Sequence, residues 1–182
     1  MQYFKHGQKG FTLIELLVAI PIAALVMLAT GGVILQVIQS GRATSQMTAI
    51  RQVQNAGRWI SQDGLQSEST CTPSDNCSDL APNSLCRFVW TDPDTVLLHS
   101  VVYRLVPMGS GSLQKLEREE TIGVGGAHLT RIVAYNLDGA VCSVAWKAPP
   151  ANSTFVLTVR ATVGLKTENR EYEVTPRPGQ RE

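Results

Sequence analysis

The sequence predicts an α+β chain. A long N-terminal helix, half of membrane length and half amphipathic, packs on a mostly antiparallel β-sheet domain. Three observations carry that expectation. Residues 11–38, FTLIELLVAIPIAALVMLATGGVILQVI, hold one charged residue, Glu15. Apolar positions then recur every three or four residues to about residue 60. From residue 85 the period falls to two, in short runs parted by turn-forming residues.

The chain has 182 residues, enough for one compact domain and an extra element. Its formal charge of +1 and its three histidines give no bulk reason to expect nucleic acid, an acidic substrate or a dense metal set.

Residues 1–10 form a short basic stretch with Lys5 and Lys9. A membrane helix needs roughly 20 apolar residues, at about 1.5 Å each, and residues 11–38 supply them. A secretory signal peptide fits less well, because the run exceeds an apolar core of about 7–15 residues and no small-residue cleavage site closes it. The lysines before the run, and the lack of basic charge after it until Arg42, keep the N-terminus cytoplasmic and export the rest. Pro21 removes one helical hydrogen bond, and Gly31-Gly32 is a second soft place.

The amphipathic half, residues 39–62, places Met47, Ile50, Val53, Gly57 and Ile60 on one face and Arg51, Gln52, Gln54, Asn55 and Arg58 on the other. Residues 63–182 form the exported domain. Its first part, 64–84, reads as loop. Strand-like runs come next: LCRFVW, TVLLHSVVYRLV, LQKLERE, LTRIVAYNL, AVCSVAW, TFVLTVRATVGL and a short final REYEVTP. The helix supplies the cover that one sheet face needs.

Four cysteines, Cys71, Cys77, Cys86 and Cys142, lie on the exported side, where disulfides persist. Pairing 71–77 and 86–142 suits the polar loop CTPSDNC and the two strand-like runs. A zinc site and free buried thiols remain open, although the spacings lack the paired knuckles of structural zinc.

The stretch KGFTLIELLVAIPIAALVML resembles the N-terminal signature of type IV prepilins and type II secretion pseudopilins. The resemblance rests on the basic leader, Gly10, Phe11, Glu15 and the adjoining apolar helix. It implies cleavage by a prepilin peptidase between Gly10 and Phe11, then methylation of the Phe11 amine. It also implies a role for Glu15, whose carboxylate would meet the free Phe11 amine of a neighbouring subunit. A lone carboxylate in lipid is expensive, so such pairing is selective. Many members have proline near Gly32, whereas this chain has Gly32 and carries Pro21. Tyr103, Leu105, Leu113 or Leu116, and Arg118 resemble a pattern of the minor pseudopilin J and minor pilin W group.

The resemblance implies a minor pilin or pseudopilin, whose partners are the prepilin peptidase, other major and minor pilins or pseudopilins, the assembly platform and, before assembly, membrane lipid. It implies a single-pass inner-membrane protein that later enters a pilus or pseudopilus. An alternative is a binding module for DNA uptake or adhesion. Arg160, Lys166, Arg170, Arg177 and Arg181 favour DNA, but Glu168, Glu171, Glu173 and Glu182 interleave with them. No cofactor and no enzymatic role are expected. His99 and His128, with Ser100, Thr130, Asp92, Asp94 and Asp138, form no recognisable nucleophile motif.

Overall fold

The computed structural model describes residues 12–73, 75, 77, 80–123, 125–147 and 154–176. The expected leader with Gly10 and Phe11, and the tail beyond residue 176 with Arg177 and Arg181, lie outside the described residues. Among the described residues one helix, α1 (Leu13–Gln66), precedes eight strands. These are β1 (Ser69–Cys71), β2 (Ser84–Thr91), β3 (Leu98–Pro107), β4 (Leu113–Ile122), β5 (His128–Asp138), β6 (Ser143–Trp146), β7 (Phe155–Val163) and β8 (Lys166–Val174). The chain divides into two compact units, Met1–Ala43 and Thr44–Glu182.

In the first unit every described side chain is exposed. It contains the most apolar window of α1, with a mean hydropathy of 2.5 and no buried residue. Such a surface needs lipid or other helices around it. The helix continues through Pro21, Gly31 and Gly32. Pro21 has no N–H to give, so the Leu17 carbonyl loses its usual donor. A Cβ at either glycine would meet open space, so no packing within the chain requires them.

In the second unit α1 buries Ala49, Val53, Ala56 and Ile60 completely. Their spacing of three and four places them on one stripe. Met47, expected on that stripe, is 64% exposed. It lies two residues, about 200° of helical rotation, from Ala49. At Gly57 an added Cβ would fall 2.2 Å from the Tyr172 ring. Only glycine lets that ring seat on the helix, where the Tyr172 hydroxyl donates to the Val53 carbonyl at 3.2 Å. The helix runs past the expected end near residue 60 and is closed by Ser67, whose hydroxyl donates to the Gly64 carbonyl at 2.7 Å.

The sheet is antiparallel throughout, in the order β1-β2-β3-β4-β5-β7-β6, with β8 on the other edge of β7. β8 spans the whole of β7, from Phe155↔Val174 to Val163↔Lys166. The opposite edge of β7 is therefore shared. β6 takes Phe155–Thr158 and β5 reaches it at Leu137↔Ala161. Two expectations are corrected here. Residues 64–84 are not all loop, because β1 pairs with β2 (Ser69↔Val89); three polar and small residues carry no period-two signal. The last strand begins at Lys166, not Arg170, because Gly164-Leu165 is a two-residue hairpin turn, with Gly164 at φ +59.

The core lies between the helix stripe and one sheet face. It contains Phe88, Tyr103, Leu116, Leu137, Phe155 and Leu157, all fully buried. Tyr103, Phe88, Phe155 and Trp146 form a chain of ring contacts, each 5.7–6.0 Å between centroids. Each such side chain contributes roughly 1.5–3 kcal/mol by burial.

Cys71 and Cys77 form a disulfide. Within that loop Asp75 accepts the Thr72 N–H (2.9 Å), the Thr72 hydroxyl (3.0 Å) and the Trp146 indole N–H (2.8 Å). The loop beside edge strand β1 is thereby tied to β6, and the sheet curves to allow it. The expected Cys86–Cys142 bond is corrected: both are free buried thiols. Cys142 Sγ sits against the Arg160 backbone, 3.5 Å from its nitrogen and 3.7 Å from its oxygen. Cys86 packs in the core near the Asp63 carboxylate, and burial pushes its thiol pKa well up.

Candidate functional site

Two features stand out, one in each unit. The first is the start of α1. Thr12 precedes the first helical residue and Glu15 stands three residues on, which is the spacing of a capping box. The Thr12 N–H donates to Glu15 Oε2 at 3.1 Å and the Thr12 hydroxyl donates to the same oxygen at 3.0 Å. Thr12 Oγ1 in turn accepts the Glu15 N–H at 3.4 Å. Two of the helix's unsatisfied donors are thus met locally, and the acid sits in the first turn, where the helix dipole favours it. Ile14, Val18, Ala19 and Ile22 share this open helix face with Glu15 as an apolar strip. Both bonds to the side chain use Oε2; among the described residues Oε1 has no hydrogen-bond partner. The capping role is legible in T-L-I-E, yet the sequence reading missed it by weighing Glu15 only as a membrane charge.

The second feature holds α1 on the sheet within the second unit. Asp63 lies on the buried stripe, one turn after Ile60, and is 4% exposed. Arg118 on β4 reaches it twice, Nε to Oδ2 at 2.7 Å and Nη2 to Oδ1 at 3.3 Å. The Tyr103 hydroxyl on β3 donates to Oδ2 at 2.5 Å. Arg118 Nη1 donates to Glu120 at 2.6 Å, and His99 Nδ1 lies 3.0 Å from the other oxygen of Glu120. The Tyr103↔Arg118 register brings these groups together. Burial works against the Arg118 charge, but the Asp63 and Glu120 bonds outweigh it and raise its pKa. Burial also raises the Glu120 pKa, and the Arg118 and His99 bonds more than reverse that, leaving it below its ordinary value. Burial, with Asp63 beside it, raises the Tyr103 pKa far above its ordinary value.

A cleft of about 500 Å³, lined in part by Asp63, His99, Arg118 and Glu120 of this network, opens at the end of α1. Trp59, Trp90 and Pro93 wall it, and Asp92 and Asp94 stand at its edge. His99 stacks on Trp90, 5.3 Å between centroids. The guanidinium groups of Arg118 and Arg131 lie 5.4 and 5.2 Å from the Trp59 ring centre, within cation–π reach. Asp92 caps its own hairpin, accepting the Asp94 N–H and the Thr95 hydroxyl, both at 2.9 Å. Those bonds hold its pKa low.

Other sequence candidates are dispersed. His128 Nδ1 lies 3.0 Å from the Thr121 hydroxyl in an exposed contact. Arg170 pairs with Glu168 and Arg160 with Asp138, so these two basic groups of the late strands are matched by acids. Among the described residues no group of three His, Cys, Asp or Glu side chains can hold a metal. Asp63, missed in the sequence, left one signal: an acid on an apolar stripe must find a partner.

Residues 5–31 match the prokaryotic N-terminal methylation motif. The chain therefore carries a motif consistent with a prepilin or pseudopilin. The match ends within the apolar part of α1 and does not reach the second unit. Neither a curated protein nor a solved structure matches the chain.

Proposed function

We propose that this chain is a minor pilin or pseudopilin subunit, matured by prepilin-peptidase cleavage after Gly10 and N-methylation of Phe11. The observation that carries the reading is the methylation motif at 5–31, running into a helix segment whose apolar side chains bury nothing in their own chain. In the membrane lipid covers that surface; in a filament the helices of other subunits do. The work is assembly, not chemistry.

Glu15 has two tasks in this reading. Oε2 starts the helix through Thr12, and Oε1 is left for a donor from outside, the Phe11 amine of a neighbouring subunit. In an apolar bundle a carboxylate without that donor is strongly disfavoured, so docking is steered to subunits whose leader is gone. The Tyr103–Arg118 arrangement supports the J or W type of subunit, because it locks the exported domain to the helix that joins the bundle.

The deciding experiment is intact mass with and without the cognate peptidase. Loss of residues 1–10 with gain of one methyl group supports the reading, and an unchanged mass overturns it. Glu15→Gln refines it. Gln still closes a capping box, so helix initiation survives while the charge is lost. The variant is expected to be processed normally and to be depleted from sheared filaments; equal recovery would refute the pairing role.

A further inference from the structure

The second unit has complementary chemistry at its two ends. One end is where the chain enters it. There the β7–β8 turn lies beside Ser45, since a Cβ on Gly164 would stand 3.7 Å from the Ser45 hydroxyl. The turn presents Leu165, 99% exposed, followed by Lys166. Among the described residues Lys166 makes no ion pair. The other end is where α1 stops. Gln66, the last residue of the helix, lines the cleft walled by Trp59, Trp90 and Pro93. Asp63, Asp92, Asp94 and Glu120 line it too, against Arg118 and His99, so carboxylates are in excess. Its volume of about 500 Å³ falls in the range of roughly 300–1,000 Å³ of ligand-binding clefts.

At about 1.5 Å per residue, Ser45 and Gln66 stand roughly 30 Å apart along the helix. The turn of one chain therefore cannot fill its own cleft. We propose that the Leu165-Lys166 turn of one copy docks in the Trp90–Asp94 cleft of a second copy. Leu165 would lie against the indole and proline walls, and the Lys166 ammonium would meet Asp92 and Asp94. A contact between unlike surfaces at opposite ends is head-to-tail; such contacts give rings where the rotation closes and open helical arrays where it does not, but not two-fold dimers. The proposal deepens the filament-subunit reading by naming an axial contact. It does not depend on the helix-bundle contact through Glu15.

The test uses the full chain in detergent micelles. Asp94→Cys and Lys166→Cys are made singly and together, and mild oxidation is followed by electrophoresis and peptide mass mapping. The double variant is expected to give a ladder of covalent oligomers. A mixture of the two single variants should give a heterodimer joined between positions 94 and 166, and adding Leu165→Asp should remove it. Bonds only between like positions, or no product beyond that of the unsubstituted chain, would overturn the proposal. A charge exchange guards against misfolding. Asp94→Lys should lower the sedimentation coefficient of self-associated chain and Asp94→Lys with Lys166→Glu should restore it; failure of the pair to restore it also overturns the proposal. Intact mass on the same samples reports leader cleavage, so failure of processing and failure of the axial contact are distinguished.

Discussion

Arg118→Met is the substitution from which the clamp between α1 and the sheet can be measured. It removes two bonds to Asp63 and one to Glu120 and leaves a carboxylate 4% exposed with Tyr103 as its one side-chain donor among the described residues. Removing one partner of a buried ion pair typically costs about 3–5 kcal/mol, because the survivor stays desolvated. That is a large share of the roughly 5–15 kcal/mol by which a domain is stable. At about 2–4 °C per kcal/mol for a domain of this size, the midpoint should fall by roughly 6–20 °C. Replacing both members, Asp63→Leu with Arg118→Met, should recover most of the loss, since a well-packed apolar pair can be as stable as the ion pair. Thermal and urea melts followed by tryptophan fluorescence serve as the assay, because Trp59 lies against Arg118 and Trp90 stacks on His99. If Arg118→Met lost less than about 1 kcal/mol, or if the double variant lost as much as the two single losses together, the clamp would carry no coupling and the reasoning would fail.

Gly57→Ala should destabilise by about 1–3 kcal/mol through overpacking against Tyr172. Adding Tyr172→Ala should remove that penalty in denaturant melts, and if it does not, the close approach is not the cause. The Glu120 pKa is lowered in the fold, so its contribution is present above the unfolded value of about 4.3 and is lost as pH falls through the folded one. Glu120→Gln should flatten the acid arm of stability against pH. The Tyr103 pKa is raised, so its contribution is complete below the unfolded value of about 10 and declines above it; Tyr103→Phe should remove that alkaline decline. Reducing Cys71–Cys77, or substituting both with Ser, should cost about 2 kcal/mol, the low end expected for so short a loop. It should also change Trp146 fluorescence as Asp75 loosens, and an unchanged melt would show that the loop does not tie the sheet edges.

Much of the fold was legible because burial periodicity is local. The seven strand-like runs overlap β2 to β8, and Val53 and Ile60 face inward as expected. The misses share a physical origin. β1 is a polar edge strand with no apolar alternation, Gly164-Leu165 interrupts a run without a change of period, and Met47 lies about 200° of helical rotation from Ala49, off the buried stripe. In the site, Glu15 was legible as an acid in an apolar run. Its partner Thr12 was overlooked although it is only three residues away. The partners of Asp63 and Asp75 were beyond reach, because Arg118 and Trp146 lie 55 and 71 residues along the chain.

The sequence alone determined the methylation motif, the membrane-length apolar run, the amphipathic continuation of the helix and the antiparallel character of the strand region. Each of these is written in neighbouring residues or in a repeat of two or 3.6. Only the tertiary structure decided which carboxylate closes on Arg118, which cysteines bond, and which groups face each other at the two ends of the second unit. Such pairings depend on strand order and register, which bring distant residues within a few ångströms and leave no local trace.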